Sequence, residues 1–263
     1  MTSSEPVSEP TTPGVTAEPT TLLVDRAPDR IHVQLHRPEV RNAIDQTMID
    51  ELHAVCAELE REPRILILSG SNGVFASGAD IAQLRERREA DALRGINSGL
   101  FSRIARLPMP VIAALDGWAL GGGAELAYAA DFRIASTTVR LGNPETALGI
   151  LPAAGALWRL AQLVGEPVAK EIILAGRILT ADEALAVHLV TEVHESVDLL
   201  AAAHALADRI GAQDPLATQL AKKVFHAPLD AHPLVDNESQ AILFESPEKF
   251  RRMDAFLERR KHS

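Results

Sequence analysis

The stretch GWALGGGAELAYAADF, residues 117–132, decides how this chain is read. Three consecutive glycines lead into an apolar, alanine-rich run that reads as a buried helix, yet the run carries one carboxylate, Glu125, a single turn in. A buried carboxylate is costly unless it is paired, hydrogen-bonded or used. Glycines ahead of a helix allow close backbone approach and leave N–H groups free at its positive end. Such groups stabilise a developing oxyanion by about 3–4 kcal/mol per donor. One short segment therefore offers an oxyanion donor beside a carboxylate whose role the segment alone leaves open.

Competing readings of the glycines fail on spacing. No GxxxxGK[ST] phosphate loop is present, and from Gly121 the chain reads GGGAEL, lacking the third glycine of a dinucleotide fingerprint. Ser77 in VFASGAD does not fit the GxSxG elbow of a hydrolase. The nine histidines form no HExxH pair or Cys/His cluster, so no metal site is expected.

Working outward, TLLVDRAPDRIHVQLHRP (21–38) reads as two strands with a turn at APD, and QTMIDELHAVCAELERE (46–62) has amphipathic helical spacing. Buried strands are expected in RILILSGS (64–71) and PMPVIAALDG (108–117), and short ones in FRIAS (132–136) and VRLGNPE (139–145). Residues 79–107 read as mostly helical with a charged middle facing solvent. Beyond about residue 145 the pattern is largely helical, with a capping box at Thr180 and Glu183, then helices in 198–211, 215–225 and 246–261. The fold class is α/β with a helical C-terminal part.

A second glycine turn, FASGADI (75–81), also ends a strand and opens a helix, so two loops can each aim one N–H at a shared carbonyl oxygen. In LGNPET (141–146), Glu145 follows a proline at an expected helix start. The plain alternative for Glu125 and Glu145 is that each complements a helix dipole, worth under about 1 kcal/mol; spacing alone leaves both readings open. For Asp80, at the head of its helix, the structural role is the better reading.

The 263 residues suffice for one large domain or two small ones; 46% hydrophobic and 24% charged residues are ordinary for a soluble globular protein. A net charge of -10 argues against nucleic-acid or anionic-membrane partners. The lone cysteine, Cys56, excludes an internal disulfide framework and reads as a buried structural thiol. Residues 1–20, almost all Ser, Thr, Pro and Glu, read as a disordered tail without targeting features, and no apolar run approaches membrane-spanning length. A cytoplasmic protein is expected.

Taken together, LHRPEVRNAI (35–44), FASGADI, residues 110–136, LGNPETALGILPAAG (141–155) and the terminal FLERR (256–260) resemble the enoyl-CoA hydratase/isomerase family, the crotonase superfamily, in family order. The resemblance implies a crotonase-like spiral of ββα turns over 21–200 and a helical C-terminal assembly region over 201–263, usually giving homotrimers or dimers of trimers. It implies an acyl-CoA substrate and no separate cofactor. The thioester oxygen would be held by the backbone N–H groups of Ala79 and Gly122. By the same resemblance Glu125 and Glu145 are the catalytic pair. Glu39, Arg41 and Ala43 are candidates for the adenine side of CoA and Arg259 for its phosphates, with Ser77, Asp80, Ile81, Gly121 and Pro144 completing the substrate contacts.

Two carboxylates suit hydration, which needs water activated and a proton delivered to the neighbouring carbon. Moving a double bond needs only one shuttling base, so the pair favours an enoyl-CoA hydratase over an enoyl-CoA isomerase or a non-catalytic acyl-CoA binder of the same fold. Some residues depart from the family pattern. Ala153 and Ala156 stand where glycines are expected, Ala82 where many hydratases carry lysine, and EKFRRMDAF lacks the usual Glu-Gly. A methyl at Ala153 is expected to crowd the water or the acyl chain.

Overall fold

The computed structural model describes residues 19–261. Among the described residues nine strands form two sheets. The larger contains β1 (Leu22–Arg26), β2 (Arg30–Leu35), β3 (Ile65–Gly70), β5 (Val111–Leu115), β7 (Phe132–Ser136) and β9 (Glu192–His194), in that order. The smaller is β4 (Val74–Ala76), β6 (Trp118–Leu120) and β8 (Arg140–Gly142). Among the described residues the paired strands run parallel except in the β1–β2 hairpin.

Successive chain turns deposit one strand in each sheet and then a helix: β3, β4; β5, β6; β7, β8. This is the expected ββα spiral. Sequence periodicity shows the long strands but not β4, β6 and β9, each only three residues and too short to display an alternation.

The apolar strands are buried on both faces, as parallel sheets require. Alternation along β3 sends Leu66 and Leu68 into the main core and Ile65 and Ile67 into a second one. Helix Gln46–Arg61 covers the first, burying Met48, Ile49, Leu52, Val55, Cys56 and Leu59, and is capped by Asp45, which accepts from Met48 N at 2.8 Å. Burial pushes the Cys56 thiol up to about 12, consistent with an inert structural cysteine.

Helix Ser196–Gly211 covers the second core through Leu199, Ala203, Leu206 and Ala207. The boundary expected at 200/201 thus falls inside a helix that belongs to the sheet's own packing. Beyond it, helix Pro215–Phe225 is tied back by Lys222, whose Nζ donates to Asp131 Oδ2 at 2.6 Å and Met109 O at 3.1 Å. The capping box is present in both directions between Thr180 and Glu183. Residues 1–18 of the expected tail lie outside the described residues; Thr20, counted in that tail, donates to Glu51 Oε1.

Candidate active site

The three singled-out motifs occupy the same step of three successive turns, immediately after β4, β6 and β8. These strands are neighbours in parallel register, Val74 beside Trp118 and Trp118 beside Arg140. Their following loops therefore stack at one end of the small sheet. Segments 75–81, 121–125 and 143–146, remote in sequence, meet there around a cavity of about 590 Å³.

Each glycine of the triplet has its own reason. Gly121 has φ +51, and a side-chain carbon there would lie 3.0 Å from Glu145 Oε1. At Gly122 such a carbon would sit 3.4 Å from Ala79 N, at the seam between the two loops. At Gly123 it would come within 2.3 Å of Ala76 O, so helix Gly122–Ala129 seats directly on the end of β4. Among the described residues, neither Ala79 N–H nor Gly122 N–H donates a backbone hydrogen bond outside the regular elements. Gly122 opens its helix, where the first N–H groups lack an intrahelical acceptor. Both residues line the cavity.

Glu125 and Glu145 both line this cavity while only 4% and 8% exposed. Glu125 Oε1 accepts from Ala154 N at 2.7 Å and Ala156 N at 3.1 Å. Burial pushes its carboxyl up to about 7; the Ala156 and Ala154 N–H groups oppose the rise and the charge of Glu145 adds to it. Glu145 rides on the short 3-10 turn Pro144–Leu148 and is also raised, chiefly by burial. Its Oε1 lies 3.5 Å from Asn143 Nδ2, and Oε2 is buried with no hydrogen-bond partner among the described residues. Two desolvated carboxylates beside one cavity do not both ionise readily, which favours a shared proton.

The departures fall on distinct places. Ala156 is fully buried, but its contribution to Glu125 is a backbone N–H that its methyl does not alter. Ala153 lines the cavity; Ala82 does not. The EKFRRMDAF segment lies in the uninterrupted helix Pro247–Lys261.

Ser77, Ala79, Ile81, Gly121 and Pro144 line the cavity together with Gly122 and the two glutamates; Glu39, Arg41, Ala43, Asp80 and Arg259 do not. Glu39 and Arg41 are exposed on the Pro38–Val40 turn, which flanks the site because Arg41 O accepts from Ser77 N and Gly78 O from Ile44 N. Ala43 O is held by Arg37 Nη1 at 2.7 Å. Asp80 caps helix Ile81–Glu86 through Ala82 N and Gln83 N, as its position suggested. Those bonds, with the Arg37 guanidinium, hold its carboxyl below the usual range, the Gln83 N–H foremost. Arg259 is exposed on helix Pro247–Lys261.

The charged middle of 79–107 is mostly exposed, as expected, but extended backbone at Arg87 and Arg88 and left-handed Gly95 break the segment into three helices. The folded-over segment brings Arg87, Arg88, Glu89 and Asp91 to the cavity wall. Sequence reasoning also passed over Asn42, Asn97 and Asn143. Asn42 is buried at φ +55 and donates to Ser71 O and Val74 O, a left-handed position that asparagine tolerates.

Residues 30–263 match the family model described as enoyl-CoA hydratase/isomerase. The chain belongs to the enoyl-CoA hydratase/isomerase family. It is 36% identical over 238 residues to a short-chain-enoyl-CoA hydratase of Clostridium acetobutylicum, covering 87% of this chain and 91% of that one. It is 34% identical to a crotonyl-CoA hydratase of Syntrophomonas wolfei subsp. wolfei, covering 91% and 96%. The crystal structure of an enoyl-CoA hydratase from Bacillus anthracis superposes with a TM-score of 0.86 at 31% identity, over 91% of this chain and 97% of that one. The architecture is the crotonase fold of this hydratase/isomerase family, as the spiral topology requires.

Proposed function

We propose that this protein is an enoyl-CoA hydratase, adding water across the 2,3-double bond of a trans-2-enoyl-CoA to give the 3-hydroxyacyl-CoA. One observation carries the reading: two buried carboxylates, Glu125 and Glu145, face a cavity that also presents the N–H groups of Ala79 and Gly122. A binder has no need of two desolvated acids, and an isomerase needs only one base.

In this reading the thioester oxygen accepts from Ala79 N–H and Gly122 N–H, which stabilise the enolate-like charge formed during addition. Water lies between the carboxyl groups. The ionised member takes a proton from it as the water oxygen bonds to C3, and the protonated member gives its proton to C2. Proton count is conserved: the pair begins and ends with one proton. Ala154 and Ala156 N–H hold Glu125 in place. The reaction requires no cofactor beyond the CoA carried by the substrate.

Glu39, Arg41, Ala43 and Arg259 are proposed to contact CoA from outside the acyl cavity. Arg259 would do so from a neighbouring subunit. Assembly as a homotrimer or dimer of trimers is supported by the C-terminal helices, where Ile242, Phe250, Met253, Phe256 and Leu257 are each 53–54% exposed in the single chain. The family's acyl-CoA chemistry fits a cytoplasmic location. No helix among the described residues is long and apolar enough to cross a membrane.

The test is loss of the conjugated thioester's ultraviolet absorbance with trans-2-enoyl-CoA substrates of graded length. Glu125→Gln and Glu145→Gln should each lower turnover by about two orders of magnitude or more. Wild-type rates surviving both changes would refute the mechanism, and consumption of 3-enoyl-CoA without hydration would identify an isomerase.

A further inference from the structure

Asn97 stands second in helix Ile96–Ala105, on the cavity wall. The point that a Gly122 side-chain carbon would occupy lies 3.4 Å from Ala79 N and 3.7 Å from Asn97 Nδ2. Gly122 N is bonded to the same α-carbon, so three nitrogen donors surround one small region of the wall. The orientation of the amide is chemically determined. Arg87 Nη1 donates to Asn97 Oδ1 at 2.9 Å, and a guanidinium offers only N–H groups, so the carbonyl end must face it. The NH2 end is thereby turned toward Gly122. The arginine also polarises the amide, because a hydrogen bond from a cation strengthens the donor at the other end. Arg87 is only partly exposed; the Arg88 N–H foremost, and the charge of Arg87 more weakly, hold the Asp91 carboxyl down, but Asp91 forms its ion pair with Arg94.

We propose that Asn97 is a third hydrogen-bond donor to the substrate's thioester oxygen, supplementing the Ala79 and Gly122 N–H groups, and that Arg87 is the positioning residue that fixes it. This rests on the hydratase reading above. It gives the charged break in residues 79–107 a purpose. The guanidinium acts on the reacting oxygen through an amide, adding positive field without placing a mobile cation against the thioester. Asn97→Leu retains approximate volume and deletes the donor; Arg87→Met retains the donor and deletes the group that orients it.

Two readouts separate this role from mere packing: steady-state hydration, and the absorbance of cinnamoyl-CoA bound before turnover. Hydrogen bonds to the carbonyl of a conjugated thioester shift its absorption to longer wavelength, whereas packing does not. Asn97→Leu should lower kcat about tenfold or more, toward the 10²–10³ seen for single oxyanion donors, leave KM nearly unchanged and diminish the red shift. Arg87→Met should act in the same direction to a smaller extent. Thermal unfolding on the same samples reports folding. A full red shift and unchanged kcat in folded Asn97→Leu would overturn the proposal, as would equal losses in kcat and affinity with the shift intact. Should Asn97→Leu not fold, Asn97→Asp, which exchanges donor for acceptor, answers by the same readouts. Absence of hydration by the wild type would refute the reaction assignment, while the red shift would still decide the role of Asn97.

Discussion

Replacing the glycines of residues 121–123 by alanine one at a time should give three different outcomes. At Gly123 the new carbon would lie 2.3 Å from Ala76 O and 2.7 Å from Ala76 Cβ, and the crowding atoms belong to β4 rather than to a flexible side chain. Relieving that overlap by roughly 1 Å of helix displacement falls in the overpacking range of about 1–3 kcal/mol. Alanine's helix preference returns up to about 1 kcal/mol. The net loss of about 1–2 kcal/mol corresponds to a Tm lower by roughly 2–8 °C for a domain of this size.

At Gly122 the nearest atoms would be 3.4, 3.7 and 3.9 Å away, ordinary contacts, so stability should stay within about 1 kcal/mol of wild type. The methyl would nevertheless stand against Ala79 N and Asn97 Nδ2, screening the proposed oxyanion seat. Turnover per folded molecule should fall about tenfold or more, up to the 10²–10³ associated with one oxyanion donor. Gly121→Ala should suffer on both counts. Its positive φ costs about 1–3 kcal/mol for an L-residue, and the methyl would meet Glu145 Oε1 at 3.0 Å. Thermal unfolding and hydration kinetics on the same three preparations decide the matter. A Gly122→Ala protein less stable than Gly123→Ala, with normal kinetics per folded molecule, would refute the assignment of these roles.

Further outcomes follow from the same geometry. Glu125 has a folded pKa near 7, above its unfolded value, so its protonated form favours folding; that contribution is complete below about pH 4.5 and is lost as pH rises through 7. Glu125→Gln, which keeps an acceptor for Ala154 and Ala156, should therefore be inactive yet gain on the order of 1–3 kcal/mol over wild type from pH 5 to pH 8, measured by denaturant unfolding at both pH values. Hydration should show a bell-shaped kcat/KM profile with two apparent values belonging to the Glu125–Glu145 pair; a rate flat from pH 5 to 9 would contradict a shared proton. Cys56, buried with its thiol pushed up to about 12, should resist iodoacetamide until the protein unfolds, as read by mass spectrometry under native and denaturing conditions. Deleting residues 1–18 should leave Tm and activity unchanged, because that composition supplies no core; extending the deletion through Thr20 and Thr21, which clasp Glu51, should cost stability.

What the sequence determined by itself is local or rests on motif order. Apolar runs of β3 and β5, the amphipathic spacing of 46–62 and the Thr180–Glu183 capping box are written in adjacent residues, and each forms as read. Glu125 and Glu145 stood out because a carboxylate in an apolar setting demands an explanation, and five motifs in order pointed to the family. Tertiary structure alone set the register by which three loops share one cavity, since two of the strands that carry them, β4 and β6, are too short to announce themselves. It also separated the glycines, whose identical chemistry hides three different neighbours. The raised pKa of Glu125 is a further product of the fold, because desolvation comes from groups distant in sequence. Asn97 and Arg87 were invisible for the same reason: within a charged helical stretch they read as surface, and only the chain's fold-over sets one amide against Gly122 and one guanidinium behind it.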